Sequence, residues 1–97
     1  MATYCVLYQF MGQLGNNVKD VPQGIEQVHQ TVADLGGKVL ACYLLMGEYD
    51  SVGIYELPSD EAALTLLLGI ANQGMVKTTS LKAFAPEEVA QIVQRLP

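Results

Sequence analysis

Two apolar runs rich in β-favouring residues, Lys38–Met46 and Ser51–Leu57, are separated by only Gly47-Glu48-Tyr49-Asp50. Parallel strands need a crossover of a dozen or more residues, so a link this short can only close an antiparallel hairpin. Everything on either side has to arrange itself around that hairpin. Ahead of it, Thr3–Met11 ("TYCVLYQFM") reads as a strand that stops at Gly12 in the polar segment "GQLGNN". Asp20-Val21-Pro22-Gln23 then reads as a helix start. Asp20 can accept a backbone N–H, Pro22 lies in the first turn where its missing N–H is harmless, and Gln23 can complete a capping box. Ile25, Val28, Val32 and Leu35 follow at helical spacing and form one apolar stripe, which Gly36-Gly37 ends by tolerating a left-handed C-cap.

Beyond the hairpin, Pro58 closes the third strand. Ser59 and Asp60 cap a second helix, Glu61 suits its positive end, and "AALTLLLGIANQ" carries it to Gly74. Met75–Phe84 forms a fourth strand, and Pro86-Glu87-Glu88 opens a last helix whose Val89, Ile92, Val93 and Leu96 share a face. The order is βαββαβ plus a terminal helix, the split-βαβ or ferredoxin-like α+β motif, in one domain spanning residues 1–97. Right-handed crossovers set the strands side by side as fourth, first, third, second.

In that layout the helices cover one face of the sheet and leave the other bare, and a bare face in a monomer alternates polar residues along each strand. Here both parities are apolar. On the first strand Cys5 and Leu7 oppose Tyr4, Val6, Tyr8 and Phe10; on the second, Leu40, Cys42, Leu44 and Met46 oppose Val39, Ala41, Tyr43 and Leu45. A bare face holding roughly 400–600 Å² of apolar surface is worth roughly 10 kcal/mol on burial, before association costs. The composition agrees: 51% of residues are hydrophobic and 15% charged, against about 25% charged in an average soluble protein. A homodimer joined face to face, or a higher homo-oligomer, is the expected assembly. The second helix adds to this, because its apolar residues from Ala62 to Ala71 cover about 240° of circumference, more than one stripe needs. Packing against the terminal helix, or assembly of dimers, would absorb the surplus.

The net charge of −5 and five scattered bases, Lys19, Lys38, Lys77, Lys82 and Arg95, predict no nucleic-acid partner. Apolar runs fall short of a membrane span, and "MATYCVLYQF" enters a strand pattern without a basic leader, which predicts a cytoplasmic protein with no membrane partner. Cys5 and Cys42 lack metal-ligand spacing and read as small buried hydrophobes, unbridged because a whole strand separates theirs. No metal and no cofactor is expected.

The chain resembles the GYD-domain family of small bacterial proteins, members of the dimeric α/β-barrel group, in the opening "MATYCVLYQF", "LGGKV" at Leu35–Val39, Gly47-Glu48-Tyr49-Asp50, Glu56 with Pro58, and "LKAFAPEEV" at Leu81–Val89. The resemblance spans nearly the whole length and implies a barrel formed by two sheets; it brings no catalytic assignment with it. One departure is Ala85, which stands where a Ser or Thr cap before Pro86 is expected and weakens that helix start.

The loop Gly12–Lys19, the start of the first helix, the Gly47–Asp50 turn and Asn72-Gln73-Gly74 fall at one end of the sheet, where a loop-built site would sit. Gly47 can take a positive φ and Asp50 can accept the N–H groups of its own turn, so the turn has a structural explanation as a register-fixing hairpin. Its functional reading gives Glu48, Tyr49 and Asp50 to a small ligand, or to general-base work. Glu56, an acid in an apolar strand, is a candidate base if buried, or else an end-of-strand residue that reaches water. Tyr8 and Tyr43 are interface or core aromatics whose hydroxyls could line a pocket between the sheets. His29, at the edge of the first helix's stripe, reads as a half-exposed surface residue. No Ser-His-Asp order or phosphate-binding glycine loop is present. The expected function is a non-enzymatic oligomeric protein that binds a small molecule or regulates a partner. The alternative, suggested by other dimeric barrels, is a small cofactor-independent isomerase or monooxygenase with a pocket between the sheets.

Overall fold

The computed structural model describes residues 1–12 and 17–97. Strand β1 (Ala2–Phe10) is followed by a 3₁₀ turn (Val18–Asp20) and helix α1 (Val21–Asp34). Strands β2 (Lys38–Leu44) and β3 (Ser51–Leu57) make the hairpin, and helix α2 (Asp60–Asn72), strand β4 (Val76–Ala83) and helix α3 (Pro86–Val93) complete the chain. The four strands form one antiparallel sheet in the order β2-β3-β1-β4. This is the ferredoxin-like α+β arrangement that the element order requires. Part of the Gly12–Lys19 loop lies outside the described residues.

Alternation along the central strands decides which side chains meet the helices. Tyr4, Val6 and Tyr8 of β1 and Tyr55 and Leu57 of β3 face inward and pack with Val32 of α1 and Ala63, Leu66 and Ile70 of α2. Truncating a fully buried leucine such as Leu57 or Leu66 removes about 2–5 kcal/mol, since a tight core only partly collapses into the gap. Gly37 permits the close approach at the end of α1: a Cβ there would lie 2.3 Å from the Glu56 carbonyl oxygen. Gly36, at φ 83°, supplies the left-handed residue that ends the helix.

Three local features differ from the sequence expectations. Asp20 makes no side-chain cap, because it already belongs to the 3₁₀ turn and has helical angles (φ −86°, ψ −6°) instead of the extended ones a capping side chain needs. Ser59 does cap, from an extended backbone, with its Oγ accepting the Ala62 N–H at 3.1 Å.

The second difference is a one-residue bulge in β2. Val39 pairs with Tyr55 and Ala41 with Ile54, leaving Leu40 as the extra residue. The bulge reverses the parity midway, so that Val39 shares the covered side with Cys42 while Ala41 and Tyr43 turn to the bare side. A strict period of two had grouped Val39 with Ala41 and Tyr43.

The third is α3, which does not absorb the surplus apolar surface of α2. Leu64 and Leu68 remain 55% and 61% exposed, and every residue from Phe84 to Pro97 is exposed. Only half a capping box holds the start of α3: Glu88 Oε1 accepts the Ala85 N–H at 3.0 Å, and alanine has no acceptor to return the bond.

Candidate functional site

The helices do not seal the covered face completely. Between α1, α2 and the Cys42–Ser51 end of the hairpin lies a cavity of about 340 Å³, with Tyr8, His29, Cys42, Ser51 and Tyr55 among its polar lining residues. Its apolar wall includes Phe10, Val28, Leu66 and Ile70. An adjoining groove of Val18, Pro22 and Leu44 shares Phe10, Val21 and Ile25 with it.

The tyrosine pair is built by strand register. Tyr8 stands opposite Ser51 on β3, and Tyr55 lies two pairs further along the same face. Tyr55 does not rise from the sheet but folds back along its own strand, over Gly53. A Cβ on Gly53 would lie 2.0 Å from the Tyr55 hydroxyl, so only glycine lets the ring lie there. In that position the Tyr55 and Tyr8 hydroxyls are 2.7 Å apart and hydrogen-bonded. Two hydroxyls carry two hydrogens and one suffices for the bond between them, so the pair keeps one O–H to donate. Burial pushes the Tyr8 hydroxyl well above the ordinary phenol range, with the neighbouring Tyr55 adding to it. Burial likewise raises Tyr55, partly offset by its hydrogen bond with Tyr8, and raises the Cys42 thiol. All three therefore stay neutral at physiological pH.

His29 belongs to this site. Its ring lines the cavity, and its Nε2 is buried with no hydrogen-bond partner among the described residues. A buried polar atom without a partner forfeits roughly 1–3 kcal/mol. Two helix glycines line the cavity as well, Gly24 in α1 and Gly69 in α2, and beyond its chain neighbours and its own helix backbone neither has an atom within 4 Å of where a Cβ would stand. Glycine inside a helix is less stable than alanine by about 1 kcal/mol, so steric need does not explain either residue, whereas an open cavity does.

Of the six residues the sequence singled out, Tyr8 alone lines the cavity. Tyr43 is 63% exposed on the bare face opposite Val52. Glu56 is also on that face, half-buried between Thr3 of β1 and Lys38 of β2. Glu48 is exposed, and Tyr49 and Asp50 are partly covered. The carboxylate of Asp50 reaches beyond its own turn: Oδ2 accepts the Phe10 N–H at 2.7 Å, and the Asp50 N–H donates to the Tyr8 carbonyl at 2.8 Å. Asp50 thus continues the β1–β3 ladder past the point where β3 begins, and Gln9 adds a bond to the Glu48 carbonyl at 3.2 Å. His29, Cys42, Ser51 and Tyr55 were not singled out. The signal that could have found Tyr55 is the glycine inside "SVGIY", since a mid-strand glycine marks a close approach.

A separate cluster lies at the other end of β1. Tyr4 donates its hydroxyl to Asp60 Oδ1 at 2.5 Å, and Lys82 Nζ stands 3.1 Å from the same oxygen. The hydrogen bond to Asp60 is the main reason the Tyr4 hydroxyl is raised to about 12, and that bond together with Lys82 holds the Asp60 carboxyl below its usual range. Among the described residues no group of three or more His, Cys, Asp or Glu side chains is placed to hold a metal ion, and no helix is long and apolar enough to cross a membrane.

The GYD domain model matches residues 4–93. The chain belongs to the GYD domain family. It is 31% identical over 97 residues, 99% of each chain, to the glutamine synthetase and cystathionine beta-lyase binding protein of Thermus thermophilus. A crystal structure of a Thermus thermophilus protein superposes with a TM-score of 0.56 at 26% identity, covering 88% of this GYD chain and 95% of the other. The crystal structure of FFRP-DM1 gives the same TM-score of 0.56 at 16% identity over 87% of this chain and 100% of that one, a likeness of fold alone.

Proposed function

We propose that this protein works by binding and not by catalysis: a homodimer or larger homo-oligomer that holds a small molecule in the cavity beneath α1 and α2 and regulates partner proteins. The observation that carries the reading is the distribution of apolar surface. Exposed large hydrophobic residues run from Met11 and Val18 through Leu40, Leu44 and Met46 to Leu64, Leu68, Leu81 and the whole of α3, while the buried core is confined to two strands and parts of two helices. Large apolar side chains left open to solvent in this number are surface available for association. The bare face of the sheet, with Cys5, Leu7, Val52 and Ile54 at its centre, is the surface for a second copy, and sheet-to-sheet pairing there would complete a two-sheet barrel. The Thermus thermophilus relative named as a binding protein for glutamine synthetase and cystathionine beta-lyase supports a role in contacting other proteins.

The cavity supports the same reading, because burial holds its tyrosine and cysteine groups neutral and so poorly suited to act as bases or nucleophiles. The unpartnered His29 Nε2 is the one feature that favours the alternative, a small cofactor-independent enzyme. The test is light scattering at micromolar concentration combined with mass spectrometry of small molecules carried through native purification. A dimer or larger particle with a bound compound recovered unchanged after incubation is expected. A stable monomer that carries nothing would overturn the proposal, and a compound converted on incubation would establish the alternative.

A further inference from the structure

We infer that the cavity selects a neutral, largely apolar molecule with one hydrogen-bond-accepting oxygen, a small aromatic ketone or phenol in chemical class, and rejects charged analogues of the same size. This rests on the reading of the cavity as a ligand site. At about 340 Å³ the space is near the lower end of ligand pockets, which run from roughly 300 to 1,000 Å³, and so leaves room for a compact ring compound.

Charge selection follows from the wall. Among the described residues no lysine or arginine lines the cavity, so a carboxylate or phosphate would leave water without a counter-ion, and the acid at its rim, Asp20, would repel it. A cation fares no better on the floor of the cavity: the Asp20 carboxylate that would attract it is exposed at the rim, and Tyr8 and Tyr55 at the floor are neutral, with one O–H between them left to donate. That donor suits a carbonyl or phenolic oxygen. His29, half-buried at the same wall with its Nε2 covered and unpartnered among the described residues, supplies a second polar contact once a ligand is seated. Gly24 and Gly69 keep the space open from the helix side.

Three one-ring probes that share a phenol separate the possibilities: 4-hydroxyacetophenone (neutral), 4-hydroxybenzoate (anionic) and tyramine (cationic), each titrated calorimetrically into the full chain at neutral pH. The ketone should bind at least tenfold more tightly than either charged probe. The double substitution Tyr8→Phe with Tyr55→Phe removes both hydroxyls together, leaves no orphaned partner, and should weaken the ketone about tenfold. His29→Leu should weaken it too while raising the thermal midpoint of the empty protein, an opposition of signs that a purely structural histidine would not give. Gly69→Leu fills open space with a better helix former and should abolish binding while the fold persists. Equal or tighter binding of a charged probe, or ketone binding unaffected by the double substitution, overturns the neutral class while leaving the cavity a ligand site. If no probe binds, or if Gly69→Leu binds like the parent, the cavity is not the site and the inference falls with it.

Discussion

The two faces of the sheet are built from the same strands and are almost equally apolar, yet they carry different residues. The covered face holds the tyrosines, Tyr4, Tyr8 and Tyr55, each buried with its hydroxyl in a hydrogen bond. The bare face holds Cys5, Leu7, Val52 and Ile54 at its centre, half-buried by their neighbours alone and without polar handles, and puts Lys38, Glu56, Gln9 and Lys77 around them. Hydrophobicity therefore does not say which face packs against helices. Side-chain polarity does: a tyrosine is tolerated deep in a core when its hydroxyl finds a partner, whereas the uncovered face carries aliphatic surface with a polar rim.

The comparison is broken most severely at Gly53. Gly53→Ala places a methyl 2.0 Å from the Tyr55 hydroxyl and should destabilise the protein by about 3 kcal/mol, the upper part of the range for overpacking. The urea midpoint measures this; an unchanged midpoint would mean Tyr55 can leave the cavity freely. On the other face, Ile54→Asp should leave the monomer folded but raise the dissociation constant of the proposed dimer more than about a hundredfold, since it would bury an unpaired charge there. Sedimentation with circular dichroism separates the two effects, and a dimer that survives this change would clear the bare face of any role in assembly.

Smaller effects sharpen the junction between the faces. Asp50→Ala removes the acceptor for the Phe10 N–H and should cost about 1–2 kcal/mol. Glu48→Ala, on an exposed side chain that makes no such bond, should cost less than about 0.5 kcal/mol. The smallest effect belongs to Tyr4 and Asp60, where solvent screens the pair because the Asp60 side chain is 68% exposed. Asp60 is lowered in the fold, so its contribution is present above the usual carboxylate range and is lost as pH falls through the folded value. Tyr4 is raised from 10.0 to about 12, so its contribution is complete below pH 10.0 and is lost as pH rises towards 12. Denaturation midpoints across both windows test both signs: Tyr4→Phe should flatten the alkaline window and only reduce the acid one, where Lys82 still holds Asp60.

The element order, the hairpin and the strand arrangement were legible because each rests on local signals: a four-residue link, a Gly-Gly stop, a Ser59 cap. The bulge at Leu40 was not, since a period of two cannot register an inserted residue until the partner strand is known. The cavity was hidden for a similar reason. Its walls come from all four strands and from α1 and α2, and His29, half-exposed as its place at the edge of the stripe suggests, joins them only when these elements are assembled. Tyr8 was found as an aromatic in a strand, but its partner Tyr55 was missed because the glycine that lays it down is two residues away. Gly24 and Gly69 look like defects in good helices until the space beside them is seen.

The bulge at Leu40 also governs what the sheet refuses to join. β2 is an outer strand with apolar residues on both sides, a ready template for unlimited strand addition. An inserted residue breaks the regular comb of free N–H and C=O groups that an incoming strand must match, and increases the local twist. The opposite margin, β4, is guarded by Lys77 and Lys82. Growth along the hydrogen-bonding direction is thereby discouraged at both ends, so self-association through the flat of the sheet can close on itself and stay finite instead of running on into a fibre.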